Sequence, residues 1–428
     1  MYKHFTKFTL QSNFMKKTFF LLILLVFQNL VSQEIETNSP YNIKTISFVQ
    51  NGINALPIFQ LNDSFQLQFD DLHGSEDNYY FKITHCDYNW KKSQLTQNEY
   101  LNGFDEQRIQ DYVNSQNTLQ VYSHYRITFP NRFVQLKVSG NYLISILNEN
   151  KELVFSRKLI LYEDMVSVPM QIKRARNVRD LQFKHNVDFA VKSNVINFQS
   201  PLQNVKVLLL QNGKMNNVIT NVKPQFTIAN DLIYKYDKET QFWAGNEYLF
   251  FENKNIQSSG NNISFINSNG GLYNSHLFTN NARAFIPYTY FPDYNGNFIV
   301  KNLVSQNPEI ESDYAWVYFS LLKSQLDNGN SIYVTGLFNN YAISDENKME
   351  FNSKSGLYEK AIMIKQGFTN FSYTIINSAG KLDEENAIDG NFFQTENNYI
   401  ALIYYRENNQ RYDRIIGKGS CSSVDITN

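Results

Sequence analysis

The sequence predicts an all-β protein with two or three consecutive β-sandwich domains, and three observations support this fold class. Of the 428 residues, 34 are Phe and 28 are Tyr, and aromatic side chains pack well on the pleated surface of a sheet. Short alternating or apolar runs recur roughly every eight to twelve residues, separated by turn-forming residues. A chain of this length is also too long for one ordinary hydrophobic core.

The N-terminus has the layout of a secretory signal peptide at residues 1–32. Residues 15–17 (MKK) open a short basic region, and residues 18–26 (TFFLLILLV) form an apolar run. Small or apolar residues then precede Gln33. This order disfavours a buried N-terminal helix, and the apolar run is too short to span a bilayer. We therefore expect translation to start at Met15 and the mature chain to begin at Gln33.

The charge and the motifs exclude several classes of protein. The formal net charge is −1, and removal of residues 1–32 takes away four lysines and no acid, which leaves −5. The one-sided basic surface that nucleic acids require is missing from this pattern. No later segment is apolar enough to cross a membrane, so the mature protein is expected to be soluble or peripheral. Motifs of nucleophile elbows, phosphate-binding loops and zinc proteases are also missing, so we expect no cofactor.

The N-terminal β-sandwich domain is predicted at residues 33–165. A short helix is expected at residues 106–114. The expected strands lie at residues 65–69, 79–84, 126–130, 141–146 and 152–162.

A middle β domain is predicted at residues 166–308. Asn-Gly pairs at residues 212–213 and 269–270 favour tight turns, and residues 253–268 are interpreted as loops around one short strand. The expected strands lie at residues 187–191, 205–211 and 248–251.

A C-terminal immunoglobulin-like domain, of the E-set or glycogen-binding-module type, is predicted at residues 309–418. Its size and strand rhythm are typical of that sandwich. Residues 419–428 are predicted to be a flexible tail because they are rich in Gly and Ser. The expected strands lie at residues 314–322, 332–338, 356–365, 368–376 and 399–405.

The residues that could form a reactive or metal site favour structural roles. Residues 85–87 (His-Cys-Asp) place His85 and Asp87 on one strand face and Cys86 on the other, which is too few convergent ligands for zinc. Export would permit a disulfide between Cys86 and Cys421, but nothing in the sequence brings these two positions together.

Two further groups of charged residues are also interpreted as solvated or structural. A glycosidase needs two carboxylates across a cleft, and the sequence cannot place any two of its acids together. The acids considered are Asp293, Glu311, Asp313 and Asp389. The basic run at residues 173–176 (KRAR), with Arg179, could contact an acidic partner, but a solvated charge run is the expected case after a domain boundary.

Segments throughout the mature chain resemble the type IX secretion system plug protein family. In the first domain they are residues 83–90 (ITHCDYNW), 99–104 (EYLNGF), 122–130 (YSHYRITFP) and 139–142 (SGNY). In the middle domain they are residues 210–212 (LQN), 224–226 (PQF), 245–248 (GNEY) and 293–296 (DYNG). In the last part they are residues 311–314 (ESDY), 365–368 (KQGF), 395–397 (TEN), 404–406 (YYR) and 411–414 (RYDR). Tyr294 departs from the smaller or aliphatic residue expected at its position.

The resemblance implies a non-enzymatic protein of Bacteroidetes-type bacteria at the periplasmic face of the outer membrane. Its partner would be the very large β-barrel translocon of the secretion system, whose periplasmic mouth it would close. No catalytic residue belongs to this role. The residues that would contact the partner are not identified by the resemblance, and the signature positions His85, Asp87 and Trp90 could as easily tie strands together inside the first domain.

Two other hypotheses remain open from the sequence. Residues 336–341 (GLFNNY) and 349–351 (MEF) are similar to a glycogen-binding module, which would make the protein an exported glycan binder. That function needs an exposed aromatic pair on one sheet face, whereas core or edge packing is favoured for Trp316 and Tyr341. The third hypothesis is an exported hydrolase, which would need converging carboxylates or a nucleophile with its base.

Overall fold

The computed structural model describes residues 33–268, 271–327 and 329–426, and its regular elements there are almost all β-strands. The predicted all-β architecture with several sheets is therefore confirmed. The expected signal peptide at residues 1–32 and the second Asn-Gly pair lie outside the described residues. Among the described helices, none is long and apolar enough to cross a membrane. The α-helices have four residues each and are α1 (Gln97–Tyr100), α2 (Pro201–Asn204) and α3 (Pro308–Glu311).

Two five-stranded sheets build the first core. Its strands are β1 (Ile43–Gln50), β2 (Ile53–Ala55), β3 (Ile58–Gln60), β4 (Phe65–Asp71), β5 (Tyr80–Cys86), β6 (Leu101–Gly103), β7 (Glu106–Arg108), β8 (Asp111–Asn114), β9 (Ser123–Phe129), β10 (Val134–Leu136), β11 (Gly140–Leu147) and β12 (Leu153–Tyr162). The sheet orders are β2-β1-β4-β9-β8 and β3-β12-β11-β5-β7, while β6 and β10 pair with each other.

Alternation along β4 fixes the packing of this core. Phe65, Leu67 and Phe69 all point into it, as the alternating pattern predicts for a half-buried strand. The ring of Phe69 stacks on Tyr125 of the same sheet at 5.0 Å and meets Phe155 of the facing sheet edge-on at 5.2 Å. Aromatic pairs in these geometries contribute beyond the area that they bury.

The helix predicted at residues 106–114 is wrong, because this segment forms strands β7 and β8. Strand β7 pairs with β5 at the edge of one sheet, and β8 pairs with β9 at the edge of the other. Glu, Gln and Arg are good helix formers, but intrinsic helix propensity is a small term, and cross-strand pairing overrides it here.

The second core contains two sheets. One has β13 (Met170–Arg174), β14 (Lys184–Val191), β17 (Phe226–Ile228), β18 (Asp231–Tyr234) and β19 (Gln241–Trp243). The other has the order β16-β15-β30-β31, with β15 (Val205–Gln211), β16 (Ile219–Thr220), β30 (Asn398–Tyr405) and β31 (Arg414–Ser422). Buried residues of both sheets share one hydrophobic cluster.

Strands of the third core come from residues 249–376. One group is β20 (Leu249–Glu252), β24 (Phe298–Val300), β26 (Ser331–Thr335) and β29 (Gly367–Ile376). The larger sheet holds β21 (Ile263–Ser268), β22 (Tyr273–Leu277), β23 (Asn280–Asn281), β25 (Tyr314–Leu322), β27 (Glu350–Asn352) and β28 (Leu357–Lys365). Short 3₁₀ turns are present at Leu337–Asn339 and Ser423–Asp425.

The second core is discontinuous in the chain, and the third core is inserted into it. Val205 of β15 pairs with Tyr405 of β30, and this pairing continues to Gln211 and Tyr399. The boundary predicted at residue 308 therefore does not coincide with a division between cores. Residues 309–418, predicted as one immunoglobulin-like domain, contribute to both the second and the third core. Periodicity reveals where strands lie but not which distant strand each one joins.

The flexible tail predicted at residues 419–428 is corrected in its described part. Its first residues belong to β31, where Gly419 pairs with Ala401 and Ser422 with Asn398. A Cβ atom on Gly419 would lie 2.5 Å from the carbonyl oxygen of Val168. The glycines that suggested mobility therefore allow close packing of two chain segments.

Candidate functional site at the junctions between the cores

His85, Cys86 and Asp87 do not converge on one point. His85 is buried with Nδ1 2.8 Å from Ser93 Oγ, and burial lowers its pKa to about 4. Burial also raises the pKa of the Cys86 thiol to about 12. Asp87 accepts hydrogen bonds from two backbone N–H groups of the turn that follows it. The three side chains therefore shape the end of a strand. Cys86 is a free thiol, as is Cys421.

The four carboxylates considered from the sequence all have structural partners. Asp389 Oδ1 accepts from Arg283 Nε at 2.7 Å, and Asp293 accepts from the backbone N–H groups of Tyr248 and Asn295. Glu311 accepts from two backbone N–H groups before α3. Asp313 accepts from the backbone N–H groups of residues 119 and 120. Asp313 thus joins the third core to the first.

The basic run at residues 173–179 is compensated locally. Ion pairs join Lys173 to Asp188, Arg176 to Asp237 and Arg179 to Glu385, with N–O distances of 2.9, 2.8 and 3.3 Å. The guanidinium of Arg174 lies 3.7 Å from the ring centroid of Phe393. These contacts fit a solvated charge run better than a free basic patch.

Tyr341 packs in the interior, as favoured from the sequence, and offers no exposed platform for a glycan. Tyr341 is buried, and its Oη lies 3.2 Å from Tyr248 Oη. The exposed sheet face carries a different stack, in which His276 lies 4.2 Å from Phe265 and 4.3 Å from Tyr318 between ring centroids. The rings of this stack cover one another, so most of the ring faces that a sugar would need are occupied.

The junction between the first and second cores centres on Asp413, which is buried. It accepts from the Tyr88 backbone N–H at 3.0 Å, from Lys206 Nζ at 3.0 Å and from Arg406 Nη2 at 2.7 Å. Burial alone would raise the pKa of Asp413, but these donors hold it below its usual value. The Tyr88 hydroxyl donates to the Val207 carbonyl oxygen at 2.7 Å. Asp413 thereby joins the loop after β5, strand β15 and the segment between β30 and β31.

The junction between the first and third cores centres on Asp70, which is fully buried. Lys365 Nζ and Tyr314 Oη both donate to Asp70 Oδ2 at 2.6 Å, and His124 Nδ1 lies 2.6 Å from Oδ1. Burial alone would raise the pKa of Asp70, but Lys365 and His124 hold it below its usual value. Lys365 also donates to the carbonyl oxygen of Glu309.

Sequence reasoning did not find these junctions, although a signal was available. Tyr88, Asp313, Lys365 and Asp413 all lie in the segments that carry the family resemblance. Trp90, interpreted as a tie within the first domain, is buried in the cluster that joins the first and second cores. The resembling segments therefore mark contacts between cores.

A loop at residues 283–294 covers a buried carboxylate. Glu247 accepts from the hydroxyl of Tyr288 and from the backbone N–H of Glu396 at 3.0 Å. Burial, together with nearby acids, raises the pKa of Glu247 to about 7. The same loop exposes Phe285, which is 97% accessible. Within the described residues, the Phe285 side chain is left almost entirely uncovered.

A cavity of about 100 Å³ lies between the second and third cores. Aromatic rings, amides and charged groups line it, including Lys214, Trp243, Tyr341 and Asp389. The sequence analysis considered Tyr341 and Asp389 separately and could not place them in one site.

Asp71, His73 and Asp77 form the one group in the described residues whose ligand atoms come close enough to hold an ion, within 4.8 Å of one another. Asp71 is already bound by Asn42 and Tyr79, and the other two side chains are exposed. We assign no metal to this group.

Comparison with known proteins agrees with the resemblance. Residues 43–163 match the family model "Type 9 secretion system plug protein 1st domain". A crystal structure of a hypothetical protein from Parabacteroides merdae ATCC 43184 has a TM-score of 0.87 and 29% sequence identity, and the alignment covers 91% of this chain and 100% of that one. Among curated proteins, none matches this chain. The match of residues 43–163 to the first domain of type 9 secretion system plug proteins supports the family that the sequence resembles.

Proposed function

We propose that this chain is an exported, non-enzymatic plug that binds and closes the periplasmic opening of the outer-membrane β-barrel translocon of the type IX secretion system. The match of residues 43–163 to the plug family carries this proposal. The likeness to a solved structure over 91% of the chain supports one shared fold for all three cores. The plug would be periplasmic and peripheral at the outer membrane once residues 1–32 have been removed.

The interlocked cores suit this role because a plug has to keep its shape in a pore. Asp413 joins the first core to the second, and Asp70 joins the first to the third. Strand β30 of the second core follows the inserted third core in the chain. Large apolar interfaces with buried polar ties resist relative motion of domains.

The first experiment is a pull-down of the tagged mature protein from native envelope extracts, with bound proteins identified by mass spectrometry. Recovery of one very large outer-membrane barrel supports the proposal. Deletion of the gene should then increase uptake of a large antibiotic such as vancomycin across the outer membrane. Efficient recovery of the protein without any barrel, and unchanged uptake in the deletion strain, would overturn the plug function.

The loop at residues 283–294 offers apolar anchors for the barrel, because isolated exposed aromatic side chains often form the centre of an interface. The double variant Phe285→Ser with Tyr290→Ser should lower barrel recovery at least tenfold. Val178→Ser is the matched control, because Val178 is 87% exposed and lies on the second core. Equal recovery of both variants would place the interface elsewhere without affecting the proposed plug function.

A further inference from the structure

The cavity between the second and third cores has the features of a built binding site. Its walls come from the turn after β15, the segment after β19, the β26–β29 pair and the loop that contains Asp389. Rings of Trp243, Tyr248 and Tyr341 form part of the lining. A volume of about 100 Å³ exceeds the space of a single water molecule several times over.

Asp389 supplies an acceptor that lacks a donor. Its side chain is 7% exposed and lines the cavity. Oδ1 is bound by Arg283 Nε, while Oδ2 has no hydrogen-bond partner in the described structure. A buried polar atom without a partner costs free energy, so a donor from a bound molecule is expected at this position.

Lys214 supplies a donor for which the described residues offer no ion-pair partner. Its Nζ lies 5.2 and 5.5 Å from the ring centroids of Tyr248 and Tyr341. Of the ion pairs among the described residues, none includes Lys214. The cavity therefore has a carboxylate oxygen, an ammonium group and aromatic rings on its walls.

These groups favour a neutral ligand with hydroxyl groups. The charge of Asp389 is already balanced by Arg283, which makes a hydroxyl a better partner than a second cation. A cation over Trp243 would meet Lys184, whose Nζ lies 4.2 Å from the ring centroid. A free anion would face the carboxylates of Asp383 and Glu384. Hydroxyl groups can both donate to a carboxylate and accept from an ammonium, and the C–H groups of a sugar ring pack on aromatic rings.

We propose that this cavity is a binding site for a small neutral polyhydroxylated ligand, no larger than one sugar ring, held by Asp389 and Lys214. It is distinct from the exposed glycan platform considered from the sequence, and it does not depend on the proposed plug function.

The test is a titration of the purified mature protein with glucose and N-acetylglucosamine up to about 50 mM. Tryptophan fluorescence and saturation-transfer NMR follow the binding. We expect saturable binding of at least one sugar, weakened about tenfold or more by Lys214→Met and by Asp389→Asn. Lys192→Met is the matched control, because Lys192 is exposed and remote from the cavity lining.

Lys214→Met keeps the test decisive if Asp389→Asn fails to fold, because Lys214 makes no ion pair with any described residue that the substitution would break. Thermal unfolding of each variant establishes that it is folded. Absence of saturable sugar binding to the wild type would overturn the proposal. Sugar affinity that neither variant changes, or tighter binding of glycine than of either sugar, would also overturn it.

Discussion

Buried charged residues lie at both junctions of the first core, and the Asp70–Lys365 pair is the clearest example. Both side chains are almost inaccessible, and their charged atoms lie 2.6 Å apart. The two residues are 295 positions apart in the chain. Alternation along a strand predicts that the neighbouring residues His85 and Cys86 point to opposite faces of the sheet. No such rule relates two residues so far apart in the chain, so this contact could not be predicted.

Lys365→Met should destabilise the protein by roughly 3–5 kcal/mol, because it leaves the Asp70 carboxylate buried without its main counter-charge. Lys192→Met removes one partner of an exposed pair and should cost less than about 1 kcal/mol. Urea unfolding of both variants measures the difference. Equal effects of the two substitutions would mean that the buried pair does not hold the first and third cores together.

Glu247 should make stability depend on pH near neutrality. Its pKa in the folded protein is about 7, above the ordinary value of 4.5. The folded protein therefore binds this proton more tightly, so the stability gained is complete below about pH 4.5 and is lost as the pH rises through 7. Glu247→Gln stays neutral and should flatten the stability profile between pH 5 and about 8.

Thermal unfolding of the wild type and of Glu247→Gln across this range checks the expectation. Glu350→Gln is the control, because Glu350 is an exposed carboxylate on β27. If Glu247→Gln leaves the pH dependence of stability unchanged, protonation of Glu247 is not the cause of that dependence.

Strand positions were largely predictable from the sequence, but local composition was misleading in two segments of the chain. Strand β25 has the predicted bounds of residues 314–322, because a long apolar and aromatic run has few other uses. Strands β7 and β8 were predicted as a helix. The prediction failed because these strands lie at sheet edges, where pairing with the neighbouring strand outweighs the propensity of their polar residues. The first residues of the predicted tail belong to strand β31. They were predicted to be mobile because the sequence shows their glycines but not the segment that packs closely against them.

Gly419→Ala tests the packing of β31 directly. The added methyl group would meet the Val168 carbonyl oxygen at 2.5 Å, and a backbone atom cannot move cheaply. We expect a loss of about 1–3 kcal/mol in the free energy of unfolding. Gly271→Ala is the control, since a Cβ there has nothing within 4 Å. Equal stability of the two variants would indicate that β31 does not pack as described.

The division into cores is a property of the whole molecule that strand rhythm cannot reveal. The first core is continuous and falls within the predicted domain at residues 33–165. The second core needs residues from both sides of the third. The strand pattern along the chain places a boundary at residue 308 because its most regular rhythm begins there, whereas the sheets do not divide there.

Fragments based on the predicted domains should therefore behave differently. Residues 33–165 should fold and unfold cooperatively, because one hydrophobic cluster lies within them. Residues 166–308 should not fold alone, because strands β30 and β31 are missing from their core. Residues 166–426 are the control, because they contain both remaining cores. Circular dichroism with thermal unfolding distinguishes the outcomes, and cooperative unfolding of 166–308 would contradict the discontinuous core.

The insertion of the third core also sets an order in time. Val205 can pair with Tyr405 only after 200 further residues have been synthesised. Contacts between residues so far apart in the chain make folding slow. Until then β15 (VKVLLLQ) remains a bare apolar strand, which is the type of segment that aggregates. A chain that emerges from its N-terminus first can complete its first core early, but its second core has to wait for the C-terminus. Protection of the nascent chain from aggregation therefore requires that its last thirty or so residues follow quickly, or that a chaperone covers β15 until they do.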